Sequence, residues 1–422
     1  MSNPLFKSSK AIIHFDGDAF FASVAQAKDW RLRGKPVVMG GERYIATAFS
    51  YEAKARGVCR GMNLKEIRRV CPEAIVLPSD YLAYSIFARR MYNIARKFTP
   101  NVEEYSIDEC FADITGLDRE LGMSYEEVAK AIKKDLEMKL GITFGVGLAP
   151  NKVLAKIASK HRKPAGFTVI TTDSAKEFLS CLPIEKIWGI GPSVSTYLRQ
   201  KGIVTAQNFI DKPMKWLEDN GIAKPYREIW YELRGHFVKE VHSEKTDMVG
   251  SIMKTRTFTP ASSDRHYIFS QLSHNIEEAC LRARAQGIAA RGISFFLKTQ
   301  EFRYHRIELD LPVATNHPTD IIAEVAKYFD NIYRSEVLFR ASGITLRGLI
   351  PVGQSTPDLF GQKDISSKSD MIFETIDSLN KRFGRSTVFL SSSLSSNDRK
   401  ESVRGKDAVY TNLELPYLGK VK

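Results

Sequence analysis

The sequence predicts an α+β protein built from more than one domain, on three observations. The chain has 422 residues, which is too long for one ordinary hydrophobic core and suits two to four domains. Short apolar runs typical of strands alternate with amphipathic stretches typical of helices. Two of the predicted strands carry clustered acidic residues, at Asp16-Gly17-Asp18 and at Asp108-Glu109. The function that the sequence predicts depends mainly on these two acidic stretches.

Composition narrows the class of protein. Hydrophobic residues make up 43% of the chain and charged residues 26%, as in ordinary globular proteins. No apolar run approaches the roughly 20 residues of a membrane span, and the N-terminus has no signal-peptide pattern. The net charge of +13 favours a polyanionic partner, with nucleic acid as the first candidate and an anionic membrane surface as the second.

Five scattered cysteines indicate the redox environment. They contain no Cys-x-x-Cys pair and are odd in number, at Cys59, Cys71, Cys110, Cys181 and Cys280. This usage predicts a reducing, cytoplasmic location, with neither structural disulfides nor a zinc site.

The first acidic stretch follows a predicted buried strand. The apolar run Ala11 to Phe15 ends in Asp16-Gly17-Asp18, and a predicted helix begins with Ala19 to Val24. Carboxylates at the end of a buried strand are well placed to bind a metal ion. The alternative is that these aspartates simply cap the helix.

The second acidic stretch lies in a predicted half-buried hairpin, from Tyr105 to Asp113. Neighbours along a strand point to opposite faces, so Asp108 and Glu109 share a face only if the backbone turns or bulges there. A divalent cation relieves the repulsion between close carboxylates, and hard oxygen ligands suit magnesium or manganese. The alternative is an acidic turn on a solvated hairpin. Combined with the first stretch, the set could hold two cations about 4 Å apart, the usual apparatus for in-line displacement at phosphorus.

The order of these motifs resembles that of Y-family translesion DNA polymerases. The resemblance rests on Phe15 to Ala22, Ser50 to Lys54 and Ser106 to Glu109, with two later motifs, and covers about residues 10 to 350. It implies a right-hand polymerase fold. The implied parts are a palm (1–29 and 80–170), small fingers (30–79), a helical thumb with a helix-hairpin-helix (171–238), a linker (239–250), a β-α-β-β-α-β little finger (251–350) and a C-terminal tail (351–422).

The resemblance also implies an activity and its cofactors. The chain would be a low-fidelity, template-directed DNA polymerase, a nucleotidyltransferase of DNA damage tolerance, repair and the SOS response. Asp16, Asp108, Glu109 and the Gly17 carbonyl would hold two Mg²⁺ ions, with Mn²⁺ as the alternative, while Asp18 is more often structural. One ion would lower the pKa of the primer 3′-hydroxyl, and the other would stabilise the departing pyrophosphate. Primer-template DNA and deoxynucleoside triphosphates are the implied partners.

Two adjacent aromatics follow the first acidic stretch. In the family an aromatic at the position of Phe21 packs under the sugar and leaves no room for a 2′-hydroxyl, so Phe21 would be a steric gate. An aromatic at a helix start is otherwise part of the core. Phe20 is a second nucleotide-binding candidate, although it suits the core better.

Four basic or aromatic residues are candidates for holding the triphosphate. Tyr51 and Lys54 match family positions with that role, although arginine often stands in place of Lys54. Lys163 matches a family lysine that directly precedes a proline. Arg60 could approach the nucleotide or be a solvated charge. The predicted helix before Lys163 is basic, and its other lysines suit a solvated face.

Two further regions are predicted to bind the DNA backbone. The run Ile187 to Pro192 indicates a helix-hairpin-helix, in which Gly189 and Gly191 let backbone amides approach a phosphate. A plain turn is the alternative. Between 251 and 349 the pattern predicts a four-stranded sheet with both helices on one face. The resemblance implies that the open face of this sheet holds phosphates. Its five cationic residues, which could equally be solvated charges, are Lys254, Arg256, Lys298, Arg306 and Arg347.

The tail from Pro351 is predicted to be loop-like. Residues 354–360 resemble the peptide by which bacterial polymerases dock on the sliding clamp, with Leu359 and Phe360 as apolar anchors and Thr356 where glutamine is usual. A short amphipathic helix follows, marked by Ile372, Ile376, Leu379 and Phe383. The serine-rich stretch 391–402 is expected to be mobile. The tail resembles bacterial polymerase V more than polymerase IV, and the sequence leaves open whether an accessory subunit is required.

Two other classes remain open at this point. A nucleotidyl cyclase uses a similar palm and similar carboxylates, but it needs neither the Gly189/Gly191 hairpin nor a basic C-terminal domain. A non-catalytic scaffold for damaged DNA accounts for the positive charge but leaves Asp16, Asp108 and Glu109 unexplained.

Overall fold

The computed structural model describes residues 10–41, 44–243, 249–353 and 363–398, together with two short strands at 414–415 and 419–420. The described residues up to 243 belong to one compact unit, and those from 249 to 398 form another. No helix within the described part of the chain is long and apolar enough to cross a membrane.

The first unit contains both strands and helices. Its strands are β1 (Ile12–Gly17), β2 (Val37–Met39), β3 (Ala48–Phe49), β4 (Ile75–Leu77), β5 (Val102–Ser106), β6 (Glu109–Asp113), β7 (Phe144–Ala149) and β8 (Phe167–Val169). Its helices are α1 (Phe20–Lys28), α2 (Tyr51–Ala55), α3 (Leu64–Val70), α4 (Tyr81–Ala95), α5 (Leu117–Leu121), α6 (Tyr125–Leu140), α7 (Lys152–His161), α8 (Ala175–Ser180), α9 (Pro192–Gln200), α10 (Ala206–Ile210), α11 (Met214–Asp219) and α12 (Lys224–Leu233).

The central element of this unit is a five-stranded sheet in the order β5-β6-β1-β7-β8. Strand β1 lies in the middle and every residue of it is buried, as its apolar sequence predicts. Ile13 and Phe15 join a core with residues of α4 and α6 on one face. Ile12 joins a second core with residues of α7 on the other face. The end of β1 is therefore held rigidly from both sides.

Local signals in the sequence account for helix α6. Ser124 accepts a hydrogen bond from the backbone amide of Glu127, whose carboxylate accepts one from the Ser124 amide, so the two residues form a capping box. Gly141 ends the helix with a φ of 66°, a conformation that favours glycine.

A smaller sheet in the order β3-β2-β4 lies between α1 and α4 in the chain. Its core is small and consists of a few aliphatic residues and one cysteine, namely Val38, Ala46, Ala53, Val58, Ile67 and Cys71. Strands β2 and β3 and helices α2 and α3 lie within 30–79, the segment that the resemblance implies to be the fingers.

Helices α8 to α12 are joined to α7 by a buried carboxylate. Glu232 is completely buried and accepts hydrogen bonds from the backbone amides of Val153 at 3.2 Å and Lys239 at 2.8 Å. The Asn151 side chain donates to the backbone carbonyls of Glu232 at 2.7 Å and His236 at 3.0 Å. Each buried polar atom thus has a partner, which fixes α12 on the start of α7.

The second unit is built on one antiparallel sheet. Its elements are β9 (Ile252–Ser262), α13 (Arg265–Ala285), β10 (Ile288–Thr299), β11 (Tyr304–Thr315), α14 (Pro318–Ile332), β12 (Phe339–Pro351), α15 (Lys363–Phe383) and α16 (Leu394–Asp398). The strand order is β11-β10-β12-β9, and α13 and α14 share one core with the sheet. The predicted β-α-β-β-α-β order is therefore confirmed. Beyond this unit, β13 (Glu414–Leu415) pairs with β14 (Gly419–Lys420).

The register of β9 corrects two predicted positions. Lys254 lies opposite Ile344 and Arg256 opposite Ser342, and both of these partners are completely buried. Lys254 Nζ donates to Glu278 Oε2 on α13 at 3.0 Å. The prediction that Lys254 and Arg256 lie on the open face is wrong, because the buried Ile252 and Phe258 turn the even-numbered positions toward the helices.

The open face carries the other three predicted cations. Lys298 pairs with Tyr304, and Arg306 pairs with Phe296 on the same face. Arg347 lies opposite Gly292 further along this face. The odd-numbered neighbours Phe295 and Leu297 fill the core instead.

The C-terminal segment corrects a further expectation. Residues 363–383 form α15, so the predicted amphipathic helix is confirmed, but the described part of the serine-rich stretch is not mobile. Ser393 and Ser396 are buried against α13, and the Ser396 amide donates to Ser270 Oγ at 2.9 Å. The predicted clamp-binding anchors Leu359 and Phe360 lie outside the described residues.

Candidate active site

The register between β1 and β6 brings the two acidic stretches together. Asp16 lies directly opposite Glu109, and the Gly17 amide donates to the Asp108 carbonyl at 2.9 Å. Ser106 pairs with Glu109 across a two-residue turn, and the ladder is irregular between Glu104 and Ser106. The predicted turn at Asp108 is therefore confirmed, and carboxylates far apart in sequence meet at one end of the sheet.

Two lysines form ion pairs with these carboxylates. Lys163 Nζ donates to Asp16 Oδ1 and lies 3.3 Å from Asp18 Oδ1. Lys156 Nζ donates to Glu109 Oε2 at 2.7 Å. The sequence pointed to Lys163 but not to Lys156, which was expected on a solvated face and is 5% exposed. The apolar residues that flank it in α7 are the one sequence signal for its burial.

Burial controls the ionisation of Asp16. Removal from water raises the pKa of its carboxyl to about 6, against the opposing charge of Lys163, and the neighbouring Glu109 adds to the increase. A cluster of carboxylates in this setting is stabilised by added positive charge.

The donor set suits a hard divalent cation. Asp16, Asp108 and Glu109 offer carboxylate oxygens, which magnesium prefers. In the part of the chain that the structure describes, no three His, Cys, Asp or Glu side chains are gathered closely enough to hold a metal ion as they stand. Lys163 and Lys156 neutralise Asp16 and Glu109 instead, and Ser106 Oγ donates to Asp108 Oδ1 at 2.5 Å. The ammonium groups of Lys163 and Lys156 therefore lie at positions where the carboxylates stabilise a positive charge.

Asp18 has a different environment from Asp16. It is 1% exposed, and its Oδ2 accepts hydrogen bonds from Thr143 Oγ1 at 2.9 Å and from the Ala165 amide at 2.6 Å. These contacts tie the start of α1 to the segment that carries Lys163. A structural role, as the resemblance implied, agrees with this geometry.

The two aromatics that follow Asp18 differ in burial. Phe20 is 4% exposed and belongs to the core, the position that suits it better, and its binding of a nucleotide stays a prediction. Phe21 is half-buried and stacks on Tyr84 with ring centroids 3.9 Å apart and an interplanar angle of 4°. Tyr81 meets the same ring edge-on at 5.9 Å.

The other nucleotide-binding candidates lie in or beside α2. Burial raises the pKa of the Tyr51 hydroxyl, and the charge of Asp18 raises it further, which places this hydroxyl near the acidic end of β1. Lys54 is exposed, with Nζ 5.6 Å from the Tyr51 ring centroid. Arg60 is exposed, and its Nε donates to the carbonyl of Thr47, just before β3, at 3.2 Å.

The predicted helix-hairpin-helix lies at the start of α9. Gly189 has a φ of 92°, a backbone conformation in this turn that favours glycine. Gly191 precedes the first turn of α9, is exposed, and has open space where a Cβ would lie. An exposed helix N-terminus with free backbone access suits a phosphate.

Comparison with known proteins agrees with this architecture. Models of the impB/mucB/samB family match residues 15–160, its C-terminal domain matches 249–359, and its helix-hairpin-helix motif matches 172–203. DNA polymerase IV of Desulfatibacillum aliphaticivorans is 32% identical over 380 residues, which cover 89% of this chain and 95% of that protein. DNA polymerase IV of Moorella thermoacetica (strain ATCC 39073 / JCM 9320) is 32% identical over 396 residues, covering 92% and 98%.

A solved structure has the same fold. A Y-family DNA polymerase chimera of Dbh and Dpo4 superposes with a TM-score of 0.69 at 24% identity, covering 81% of this chain and 99% of its own. The chain belongs to the impB/mucB/samB family, which is the Y family of DNA polymerases. It is a DNA-directed DNA polymerase of the translesion type, a metal-dependent nucleotidyltransferase that acts on DNA with deoxynucleoside triphosphates.

Proposed function

We propose that this polymerase extends a primer past damaged template bases, using two Mg²⁺ ions held by Asp16, Asp108, Glu109 and the Gly17 carbonyl. The pairing of Asp16 with Glu109 across β1 and β6 carries this proposal. It sets Asp16 and Glu109 on strands of a buried sheet, with Asp108 in the tight turn directly before β6, which favours precise placement. Mn²⁺ is the alternative ion because its preferred ligands are similar.

The residues around the carboxylates are proposed to bind the incoming nucleotide. When bound, the two ions activate the primer 3′-hydroxyl and neutralise charge on the triphosphate. Tyr51, Lys54 and Lys163 share that charge, and Arg60 approaches from the same side. Lys163 is bonded to Asp16, and the triphosphate offers it a second anionic partner. The ring of Phe21 excludes a 2′-hydroxyl.

The proposed domains are those of a right-hand polymerase. The palm comprises 1–29 and 80–170, the fingers 30–79, the thumb 171–238 and the little finger 251–350, with a linker at 239–250 and a tail at 351–422. The fingers have a core of only a few small residues, which leaves little surface to check base-pair geometry. That feature supports low fidelity and a role in DNA damage tolerance, repair and the SOS response.

The proposed DNA contacts are distributed over two regions. The Gly189 and Gly191 backbone binds duplex phosphates through the start of α9. Lys298, Arg306 and Arg347 bind phosphates along the open face of the little finger. We place the enzyme in the cytoplasm, with the sliding clamp as a partner through Leu359 and Phe360 and with an accessory subunit as a further candidate.

Primer extension on undamaged and abasic templates with magnesium tests the proposed function. The wild type is expected to extend both, and Asp108→Ala/Glu109→Ala is expected to lose extension while binding the duplex normally. Glu120→Ala removes an exposed carboxylate of the same unit and serves as the control, with full activity. Extension by the double variant at the wild-type rate would contradict the proposed metal ligands.

A further inference from the structure

Lys156 joins three parts of the first unit that are far apart in sequence. It lies on α7 and is 5% exposed. Its Nζ donates to Glu109 Oε2 at 2.7 Å. The same ammonium lies 4.2 Å from the ring centroid of Tyr105 on β5 and 5.1 Å from that of Trp188, just before the helix-hairpin-helix glycines. One buried charge therefore contacts the thumb, the hairpin and a carboxylate of the candidate active site.

Trp188 is docked on the hairpin that carries the carboxylates. Its Nε1 donates to the Tyr105 hydroxyl at 2.9 Å, and the two rings meet edge-to-face at 5.3 Å. Phe111 on β6 lies 5.6 Å from both Trp188 and Tyr105. The three rings form an aromatic cluster (Tyr105, Phe111 and Trp188), which supplies two of the surfaces that face Lys156.

The buried ammonium depends on this cluster and on Glu109. A buried charge is costly unless it is paired and surrounded by favourable contacts, and ring faces stabilise a cation further. Glu109 depends on Lys156 in turn, because Lys160 lies 3.9 Å from its Oε1 and His14 Nε2 lies 3.9 Å from its Oε2. Both distances exceed that of a hydrogen bond. Lys156 is therefore the close hydrogen-bond donor to the Glu109 side chain among the described residues.

We propose that Lys156 is a positioning residue that fixes Glu109 for metal binding, and that the docking of Trp188 controls it. The inference rests on the proposed function, in which Glu109 is a metal ligand. By holding Oε2, Lys156 fixes the rotamer of Glu109 and leaves Oε1 for the cation. Displacement of Trp188 removes one ring face from Lys156, so the position of the thumb on the palm affects the catalytic carboxylate.

Lys152 provides a matched control one turn earlier on the same helix. It is also buried, at 4% exposed, and also pairs with a carboxylate of the hairpin, Glu103, at 2.6 and 2.7 Å. Its ammonium lies 5.0 Å from the Phe111 ring centroid. Its partner is not a proposed metal ligand. Lys152→Met therefore reproduces the loss of a buried ion pair without disturbing Glu109.

The test compares Lys156→Met, Trp188→Ala and Lys152→Met with the wild type. Loss of a group that orients a metal ligand typically costs about 10- to 100-fold in metal affinity or activity. We expect Lys156→Met to lower kcat for nucleotide insertion about tenfold, with little change in KM for the nucleotide. Trp188→Ala is expected to shift kcat in the same direction by a smaller factor, and Lys156→Arg to restore part of the loss.

Metal binding is measured separately from turnover. Each protein is mixed with a 3′-dideoxy-terminated primer-template and the matching nucleotide, and free Mn²⁺ is counted by electron paramagnetic resonance. Lys156→Met is expected to weaken Mn²⁺ binding about tenfold, Trp188→Ala less so, and Lys152→Met not at all. Binding of primer-template by fluorescence anisotropy is expected to be unchanged in Lys156→Met.

The outcomes separate this inference from the proposed function. If Lys156→Met and Trp188→Ala match Lys152→Met in kcat and Mn²⁺ affinity while the wild type extends primers, the positioning role is overturned and the polymerase assignment stands. If the wild type neither extends primers nor binds Mn²⁺ better than Asp108→Ala/Glu109→Ala, the metal site fails and the positioning role fails with it. Should Lys156→Met be insoluble, Trp188→Ala alone decides, because Trp188 is only half-buried.

Discussion

The ring of Phe21 is held in place by other aromatics. It stacks face to face on Tyr84 and meets the edge of Tyr81, and Tyr84 itself is 1% exposed. Both tyrosines belong to α4, which packs on the same core as β1. The proposed gate would have to be rigid to exclude a single hydroxyl, and this stacking would provide the rigidity.

Replacing Phe21 tests the gate. Phe21→Ala opens space beside the sugar, so we expect the ratio of kcat/KM for deoxynucleotides to that for ribonucleotides to fall by about 100-fold or more, equivalent to about 3 kcal/mol. Activity with deoxynucleotides is expected to fall far less. Single-nucleotide insertion kinetics measure kcat/KM for both kinds of nucleotide. Unchanged sugar discrimination would remove Phe21 from the nucleotide site.

A buried histidine in the second unit predicts a pH effect. His317 Nε2 lies 2.7 Å from Asp370 Oδ1 on α15, and Nδ1 lies 3.5 Å from Asp320 Oδ2. Hydrogen bonding to Asp320, opposed by burial and supported by Asp370, raises the pKa of His317 above 6.5. The stabilisation is therefore complete below about pH 6.5 and is lost as pH rises through the raised pKa.

Asp370→Asn tests this dependence. The amide keeps the shape of the carboxylate but loses its charge, and Asp370 is largely exposed, so the expected loss is about 0.5 to 1 kcal/mol. This corresponds to a melting temperature about 2 °C lower at pH 6 and unchanged at pH 9, as followed by circular dichroism. An equal shift at both pH values would show that the His317 charge is not involved.

At this scale the sequence predicts some residues and not others. Asp16, Asp108 and Glu109 follow from strand ends and spacing, because strands impose a fixed direction on side chains. The position of Lys156 could not be predicted in this way. Its burial depends on Trp188 and Tyr105, which only the tertiary fold brings close to it. Lys254 was misplaced because strand periodicity gives two faces without saying which one is covered.

For helix α15, the sequence predicts the helix but not which of its faces is buried. Its predicted apolar stripe includes Ile372 and Phe383, yet these are 57% and 60% exposed, while Phe373 is 5% exposed. Polar contacts orient the helix instead. Arg284 donates to both oxygens of Asp377 at 2.7 and 2.8 Å and lies 4.9 Å from the Phe373 ring.

Two phenylalanines of α15 test how this helix is attached. Phe373→Ala removes a buried ring, which typically costs about 3 kcal/mol or more, so amides of α15 are expected to exchange with deuterium about 100-fold faster. Phe383→Ala is the matched control on the same helix and is expected to leave exchange unchanged. Similar exchange in both variants would mean that the helix is held by its polar contacts alone.

The sequence did not predict two of the short strands, β4 and β8. They have three residues each, too few to show a period, and they form because a neighbouring strand offers unpaired backbone groups. The longer elements α13, α14 and β12 were predicted because the pattern is consistent over many residues.

At the scale of the whole molecule, the net charge of +13 favours DNA binding that depends on salt. On the open face of the second unit, Arg306 pairs with Glu308 and Arg347 lies 3.3 Å from Asp310. Lys254 is bonded to Glu278 on the helical side. Lys298 packs over the rings of Phe302 and Tyr304 at 4.8 and 4.7 Å, which holds its ammonium on the open face.

Lys298→Ala and Lys254→Ala test which face of the sheet in the second unit binds DNA. Each phosphate contact contributes about 0.9 to the slope of log K against log salt concentration for duplex DNA. Lys298→Ala is expected to reduce the slope by about that amount, independent of DNA sequence, and Lys254→Ala is expected to leave it unchanged. Fluorescence anisotropy over a salt series measures this. Equal slopes for Lys298→Ala and the wild type would exclude a phosphate contact at Lys298.

The order of domains was the most predictable feature of the whole molecule. Each motif is modest alone, but their order along the chain admits few folds, and the family match follows the same order. The ion pairs of Lys163 with Asp16 and of Lys156 with Glu109 could not be predicted, because they depend on how α7 and the segment after it lie against β1 and β6.

The most direct test of the two-metal site is a crystal structure with Mn²⁺, a 3′-dideoxy-terminated primer-template and the matching nucleotide. Anomalous scattering is expected to show two ions about 4 Å apart, bound by Asp16, Asp108 and Glu109, with Lys163 moved from Asp16 to the triphosphate. Ions bound elsewhere, or no ion at these carboxylates while the nucleotide is bound, would contradict the account.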